Sequence, residues 1–245
     1  MDDAATLGMH AVIFVAAMFQ TATGIGFALI AGPFLLMYLQ DGSAIQISVL
    51  LNLLMSVVLA PSLIKHVHWP SLRHLGLGLV GGLPVGIALF IWADLTLLKL
   101  GAAAFIALAL IPFLRPPAVQ GVDDRSGAGV ASGIVAGVMT GFAAMPGPAA
   151  SYYLTGLQNL PRDVARSTIY AYFVLAYGAA LILHITLTGV ADKTLVASAS
   201  FTPAAAVGML AGIPLARRLS QKWFRLAAAG TLLLTAVTLV AAVLA

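Results

Sequence analysis

Gly26-Phe27-Ala28-Leu29-Ile30-Ala31-Gly32-Pro33 returns 115 positions later as Gly141-Phe142-Ala143-Ala144-Met145-Pro146-Gly147-Pro148, and Tyr38-Leu39 return as Tyr153-Leu154. Over the 14 aligned positions, 26–39 against 141–154, seven are identical, which marks an internal duplication. Both copies lie in long uncharged stretches, yet both carry Gly and Pro residues that weaken a helix. A helix break at this depth predicts a special local structure, repeated in each half.

Working outward, the 245 residues are 61% hydrophobic and 8% charged, with a mean hydropathy of +1.05, far from the balance of a soluble domain. An integral, polytopic, all-α membrane protein is expected. Glutamate is absent, and the eight aspartates, Asp2, Asp3, Asp41, Asp94, Asp123, Asp124, Asp163 and Asp192, avoid the middle of the apolar runs. Carboxylate chemistry within the membrane is therefore disfavoured. Without cysteine there is no disulfide and no thiolate metal site. The net charge of +4 comes from Lys and Arg that flank apolar runs, which points to membrane topology and not to nucleic acid. Met1-Asp2-Asp3 lacks the basic start of a secretory signal, so the first apolar segment reads as part of the mature chain.

Charged residues divide the chain into runs 4–40, 42–64, 74–93 and about 95–114. After a polar linker at 115–125 come 126–161, 167–191, 194–216 and 226–245. The reading is a single transmembrane domain, 1–245, with repeat one at 4–114, a cytoplasmic linker, and repeat two at 126–245. Gly82 and Gly86 align with Gly208 and Gly212, and Leu98-Lys99 with Phe224-Arg225. The later runs are about 20 residues long, enough for one crossing of a hydrocarbon core of roughly 30 Å. The opening runs, of 37 and 36 residues, exceed one span and fall short of two spans with a turn, roughly 44. They predict a broken or re-entrant helical hairpin in each half, bent at Thr21 to Gly26 and near Met139-Thr140-Gly141.

Hairpins that leave on the side they entered invert the second repeat. With the N-terminus outside, ten of the twelve Lys and Arg fall inside and only Lys99 and Lys193 outside, whereas parallel repeats manage seven against five. The positive-inside rule thus favours inverted repeats with both termini outside. Gly129, Gly133, Gly137 and Gly141, and Gly78, Gly82 and Gly86, recur every fourth residue and suit close helix packing, within the chain or in a homodimer.

Inverted repeats with discontinuous helices near the midplane are secondary-transporter architecture, and half-helix N-termini attract anions. The expected tips are Gln20, Thr21, Thr23, Gly24 and Gly26 in the first hairpin. In the second they are Thr140 and Gly141, or the turn just after Pro146-Gly147-Pro148, with Ser151 close by. Any of these residues taken singly reads first as a helix cap or packing residue, whereas the paired constellation reads as a substrate site. Asn52 lies about mid-membrane, where an amide needs a partner, and Tyr172 aligns near it. Arg166 could slide toward an anion or anchor the helix end by snorkelling. His66, His68 and His74 share a basic loop without carboxylates, which reads as an interfacial loop and not a metal site. His10 and His184 stand alone.

The Gly-x-Gly-Phe start with its following Gly-Pro (24–27 and 32–33), the second-half copy, and Arg166-Ser167-Thr168 resemble the sulfite exporter (TauE/SafE) family of permeases, over nearly the whole chain. The resemblance implies export of sulfite, sulfonates or related small sulfur oxyanions across the bacterial inner membrane, without a cofactor. This chain departs from the glycine-rich form of the first motif at Ala28-Leu29-Ile30-Ala31, and has Ala144-Met145-Pro146 in the second. Two other classes fit a hairpin-bearing membrane protein. A membrane-embedded lipid phosphatase needs acidic residues for metal and phosphate, and this chain has no Glu and no Asp in the middle of an apolar run. An anion channel, or a membrane partner that transports nothing, would differ from a permease in the saturation of its flux.

Overall fold

A computed structural model describes residues 3–24, 26–114, 126–157 and 160–218, and beyond them positions 230, 233, 235–239 and 241. The linker 115–125 and most of the run 226–245 lie outside the described residues. Every element among these is helical: α1 Asp3–Thr23, α2 Phe27–Leu39, α3 Ser43–Leu63, α4 Trp69–Trp92, α5 Leu95–Leu114, α6 Ser126–Ala143, α7 Gly147–Gly156, α8 Arg162–Leu187 and α9 Asp192–Arg218, with a 3-10 turn at Ile64–His66. Five stretches are long and apolar enough to cross a membrane: Ala4–Thr23, Ser43–His66, Trp69–Trp92, Asp163–Leu187 and Asp192–Leu215. The second hairpin arms are short, 13 residues in α2 and 10 in α7, or about 20 and 15 Å of rise. A polytopic membrane protein follows from the lengths and apolar composition. Exposed Trp69 and Trp92 open and close α4, where interfacial aromatic residues are expected.

Glycine decides which helices meet. On α4, a Cβ at Gly78, Gly82 or Gly86 would sit 2.2, 2.1 or 2.4 Å from a backbone oxygen of α6, and Gly133, Gly137 and Gly141 of α6 meet α4 backbone equally closely. The two helices run in the same direction in near backbone contact, which only a side chain of hydrogen permits. The same device joins α9 to α1, with Gly208 against the Phe14 carbonyl (2.2 Å) and Gly212 against that of Met18 (2.5 Å). Both glycine stripes are thus occupied within the chain, so any pairing of two copies would use another surface.

Side-chain bonds at the helix ends sort the loops. At one end Lys193 pairs with Asp41 at 2.7 Å, Gln46 Nε2 donates to Thr188 Oγ1 and the Gly189 carbonyl, and Lys99 Nζ donates to Gln40 Oε1. At the other, the His68 amide donates to Thr168 Oγ1. The start of α3 therefore meets the end of α8, and the residues just past α3 meet the start of α8. The two helices run antiparallel.

The breaks differ from expectation in the second half. The first lies between Thr23 and Phe27, as its glycines predict. In the second, α6 continues through Met139, Thr140 and Gly141 to Ala143, and the chain breaks only at Ala144–Pro146. Gly82 and Gly86 meet Ile134 and Val138, while Gly208 and Gly212, 126 residues on, meet Phe14 and Met18, so these contacts set α1 against α6 at an offset of 120, not the 115 of the doubled motif. Gly24 (φ 82°) and Ala144 (φ 56°), also 120 apart, both end their helices in the left-handed conformation. Their amides donate to the carbonyls four residues back, Gln20 at 2.7 Å and Thr140 at 2.8 Å, closing each helix with the same cap. The doubled motif therefore occupies different places: Gly26-Phe27-Ala28 opens α2, whereas Gly141-Phe142-Ala143 closes α6. Likewise Gly32-Pro33 lies inside an uninterrupted α2, and Gly147-Pro148 starts α7, where proline is favoured.

Candidate functional site

One face of α8 gathers both breaks. The Tyr170 hydroxyl donates to the Gln20 carbonyl at 2.8 Å, Arg166 donates through a terminal nitrogen to the Thr21 carbonyl, and the Tyr177 hydroxyl donates to the Ala144 carbonyl at 3.1 Å. Tyr170 and Tyr177 are seven residues apart, so they share a face and hold the two breaks at levels separated by about 10 Å of helix rise. The breaks also touch through α2, where a Cβ on Gly32 would lie 3.4 Å from the Met145 methyl. Bonds to the Thr21 and Ala144 carbonyls suit the physics of a broken helix, whose end carbonyls run short of backbone donors, while the Gln20 carbonyl takes Tyr170 as a second donor beside the Gly24 amide.

Gln20 is the most informative residue at the first break. It is 2% exposed, and its Oε1 accepts from the Phe27 amide at 3.0 Å, which fixes the side chain on the N-terminus of α2. Its Nε2 is buried without a partner. The amide cannot be turned round, because Nε2 facing an N–H would oppose two donors. A buried donor thus stands beside the positive end of a helix dipole.

The other expected residues divide into those the geometry brings to this region and those it uses elsewhere. Gly24 and Gly26 form the first bend, and Gly26 (φ 141°) precedes α2 with its carbonyl accepting from Ile30. Thr23 ends α1. Thr21 Oγ1 donates to the Ala17 carbonyl inside its own helix, and Thr140 Oγ1 does the same to Ala136. Gly141 packs against the α4 backbone near Ile87, a turn short of the bend. Gly147 begins α7, and Ser151 in its second turn is buried with its hydroxyl unpartnered. Arg166 lies 5.9 Å from the Tyr170 ring centroid, and its Nε is buried without a partner. Asn52 and Tyr172 are fully buried, each with one polar atom free, Oδ1 and the hydroxyl respectively.

A chain whose broken helices meet around buried donors in an apolar bundle matches the family model described as sulfite exporter TauE/SafE over residues 9–239. It belongs to that family. As a TauE/SafE protein it is a membrane transporter and not an enzyme. No curated protein and no solved structure matches it. Two residues of this TauE/SafE chain escaped the sequence reading. Tyr177 and Ala144 form the second-break contact, and the available signal was the heptad spacing of Tyr170, Tyr177 and His184 along an otherwise apolar helix.

Proposed function

We propose that this TauE/SafE protein is a secondary transporter that exports a small sulfur-containing anion, sulfite or an organosulfonate, across the bacterial inner membrane, with the substrate held between the two hairpin breaks near the midplane. The observation that carries the reading is the Gln20 carboxamide, pinned to the N-terminus of α2 by its oxygen with its NH2 buried and unsatisfied. Ser151 supplies a second free group on α7, and the Arg166 Nε supplies a cationic donor on the α8 face that holds both breaks. The donors stand at the starts of short half-helices, so backbone dipoles and side-chain donors act together on an anion.

The halves 4–114 and 126–245 act as inverted repeats joined by a cytoplasmic linker, with both termini outside. Support comes from the antiparallel course of α3 and α8, and from the exchange in which α4 packs on α6 while α9 packs on α1. Lys99 and Lys193 share one end with Asp41, and Lys65 and Arg73 fall at the other, in keeping with the positive-inside count.

Sulfite uptake into proteoliposomes tests the site. Gln20→Glu keeps the acceptor that caps Phe27 but replaces the donor by a negative charge, so saturable uptake should disappear while the fold survives. Gln20→Leu removes both the donor and the cap, costing about 0.5 to 1.5 kcal/mol per lost bond and weakening apparent affinity up to about tenfold. Wild-type kinetics in Gln20→Glu would place the anion elsewhere.

A further inference from the structure

Asn52 of α3 and His184 of α8 are both fully buried, and both present polar atoms without partners: Asn52 Oδ1 and the two His184 ring nitrogens. The Asn52 carboxamide has one orientation, because Nδ2 donates to the Ser48 carbonyl at 2.7 Å and the flipped form would set oxygen against oxygen. Its free atom is therefore an acceptor. His184 carries at least one N–H in any protonation state, so it is a free donor.

The two groups lie on one packed stretch of two antiparallel helices, within about a turn of each other. Gln46 bonds Thr188 and Gly189, and Leu53 lies against Gly178, so residues 46–53 of α3 run alongside 178–188 of α8. His184 is seven residues beyond Tyr177 on the face that holds the breaks, about 10 Å further along the helix. Its ring neighbour Phe90 carries no oxygen or nitrogen acceptor, the rings standing at 88° with centroids 4.9 Å apart. Ser56, one turn along α3 from Asn52, adds a hydroxyl that is also unpartnered. A buried acceptor and a buried donor that do not bond each other call for a ligand that carries both functions.

An anion without any hydrogen offers only acceptors, and Asn52 Oδ1 would repel it. We propose that the cargo is an oxyanion that keeps one hydrogen-bond donor, an acid proton or a hydroxyl, and that beyond the second break it is held with this donor on Asn52 Oδ1 and an oxyanion oxygen on His184. The assignment rests on the permease reading and narrows its substrate class. His184 is the outer ligand of the path that Gln20 and Arg166 begin.

Uptake into proteoliposomes, with protein-free vesicles as the blank, distinguishes the possibilities. Wild-type protein is given 2-hydroxyethanesulfonate, ethanesulfonate and, in mildly acidic and mildly alkaline buffer, sulfite. A permanent donor predicts that the hydroxylated sulfonate is preferred by roughly tenfold or more over its hydroxyl-free analogue. An acid proton predicts faster sulfite uptake in acid. The acid effect counts only if Asn52→Leu removes it. Asn52→Leu should erase whichever preference appears, and His184→Phe should weaken all cargoes while leaving the sulfonate ratio unchanged. The wild-type comparison stands even if a variant does not fold. Saturable uptake with neither preference, as when a water fills the gap, overturns the donor assignment but leaves the permease reading. No saturable uptake of any cargo overturns both.

Discussion

Gly82→Ala is the sharpest test of the packing, because Gly81 beside it on the same helix provides a control. A Cβ at Gly82 would stand 2.1 Å from the Ile134 carbonyl oxygen and 2.9 Å from its Cα, well over an ångström inside ordinary contact of about 3.5 Å. The neighbours are backbone atoms, which cannot swing aside as a side-chain end can, so α4 and α6 must separate along their length. Forced overpacking of this kind costs about 1 to 3 kcal/mol, and the lost contacts along the remaining glycine stripe place this case at the upper part of that range. At Gly81 the same methyl meets nothing within 4 Å, and the only change is in backbone entropy and propensity, a gain of up to about 1 kcal/mol. Thermal unfolding of the two purified variants in one detergent should show Gly82→Ala lowered by several degrees and Gly81→Ala equal to or above wild type. Equal melting temperatures for the two variants would refute the α4 and α6 contact, and with it the placement of α6 on which the second break depends.

Three further outcomes follow from the breaks and the loops. Ala144 holds a left-handed conformation (φ 56°) that costs a non-glycine residue roughly 1 to 2 kcal/mol, so Ala144→Gly should raise thermal stability and Gly24→Ala, at φ 82°, should lower it; opposite signs would remove the shared cap. Tyr177→Phe deletes the donor to the Ala144 carbonyl and should cost about 0.5 to 1.5 kcal/mol in unfolding measurements, whereas no change would mean that water takes over the carbonyl. Burial alone would raise the Asp41 carboxyl, but hydrogen bonds from Lys193 and Ser43 and the Lys193 charge hold it below its ordinary 3.8. A lowered folded-state value gives a contribution that is complete above that pH and lost as pH falls through the lower folded value. With the partners 70% and 39% exposed it stays under about 1 kcal/mol, and Asp41→Asn should abolish this acid loss; an unchanged acid profile in the variant would show the pair to be without effect.

The sequence by itself carried the membrane class, a helix break in each half of the chain and the first bend. Those features rest on local physics: apolar run length, charge placement, and glycines at 24 and 26 that free φ where a helix must stop. The family likeness was legible for the same reason, in short motifs and near full-length hydropathy. The second bend was legible only in part: Pro146-Gly147-Pro148 marked one of two alternatives for the start of the second arm, but Ala144 has no local reason to adopt a positive φ. Its conformation follows from α6 being pressed against α4 by three pairs of glycines and from a tyrosine 33 residues away that takes its carbonyl. Aligning like residues set the doubled motif 115 apart, whereas helix contacts relate α1 to α6 at 120, since packing recognises the level of a glycine on a neighbouring backbone and not the identity of the next residue. The site divides in the same manner. Gln20 and Asn52 could be named from polarity in an apolar run, but which of their atoms is capped and which is left free was decided only when Phe27 and Ser48 were brought to them.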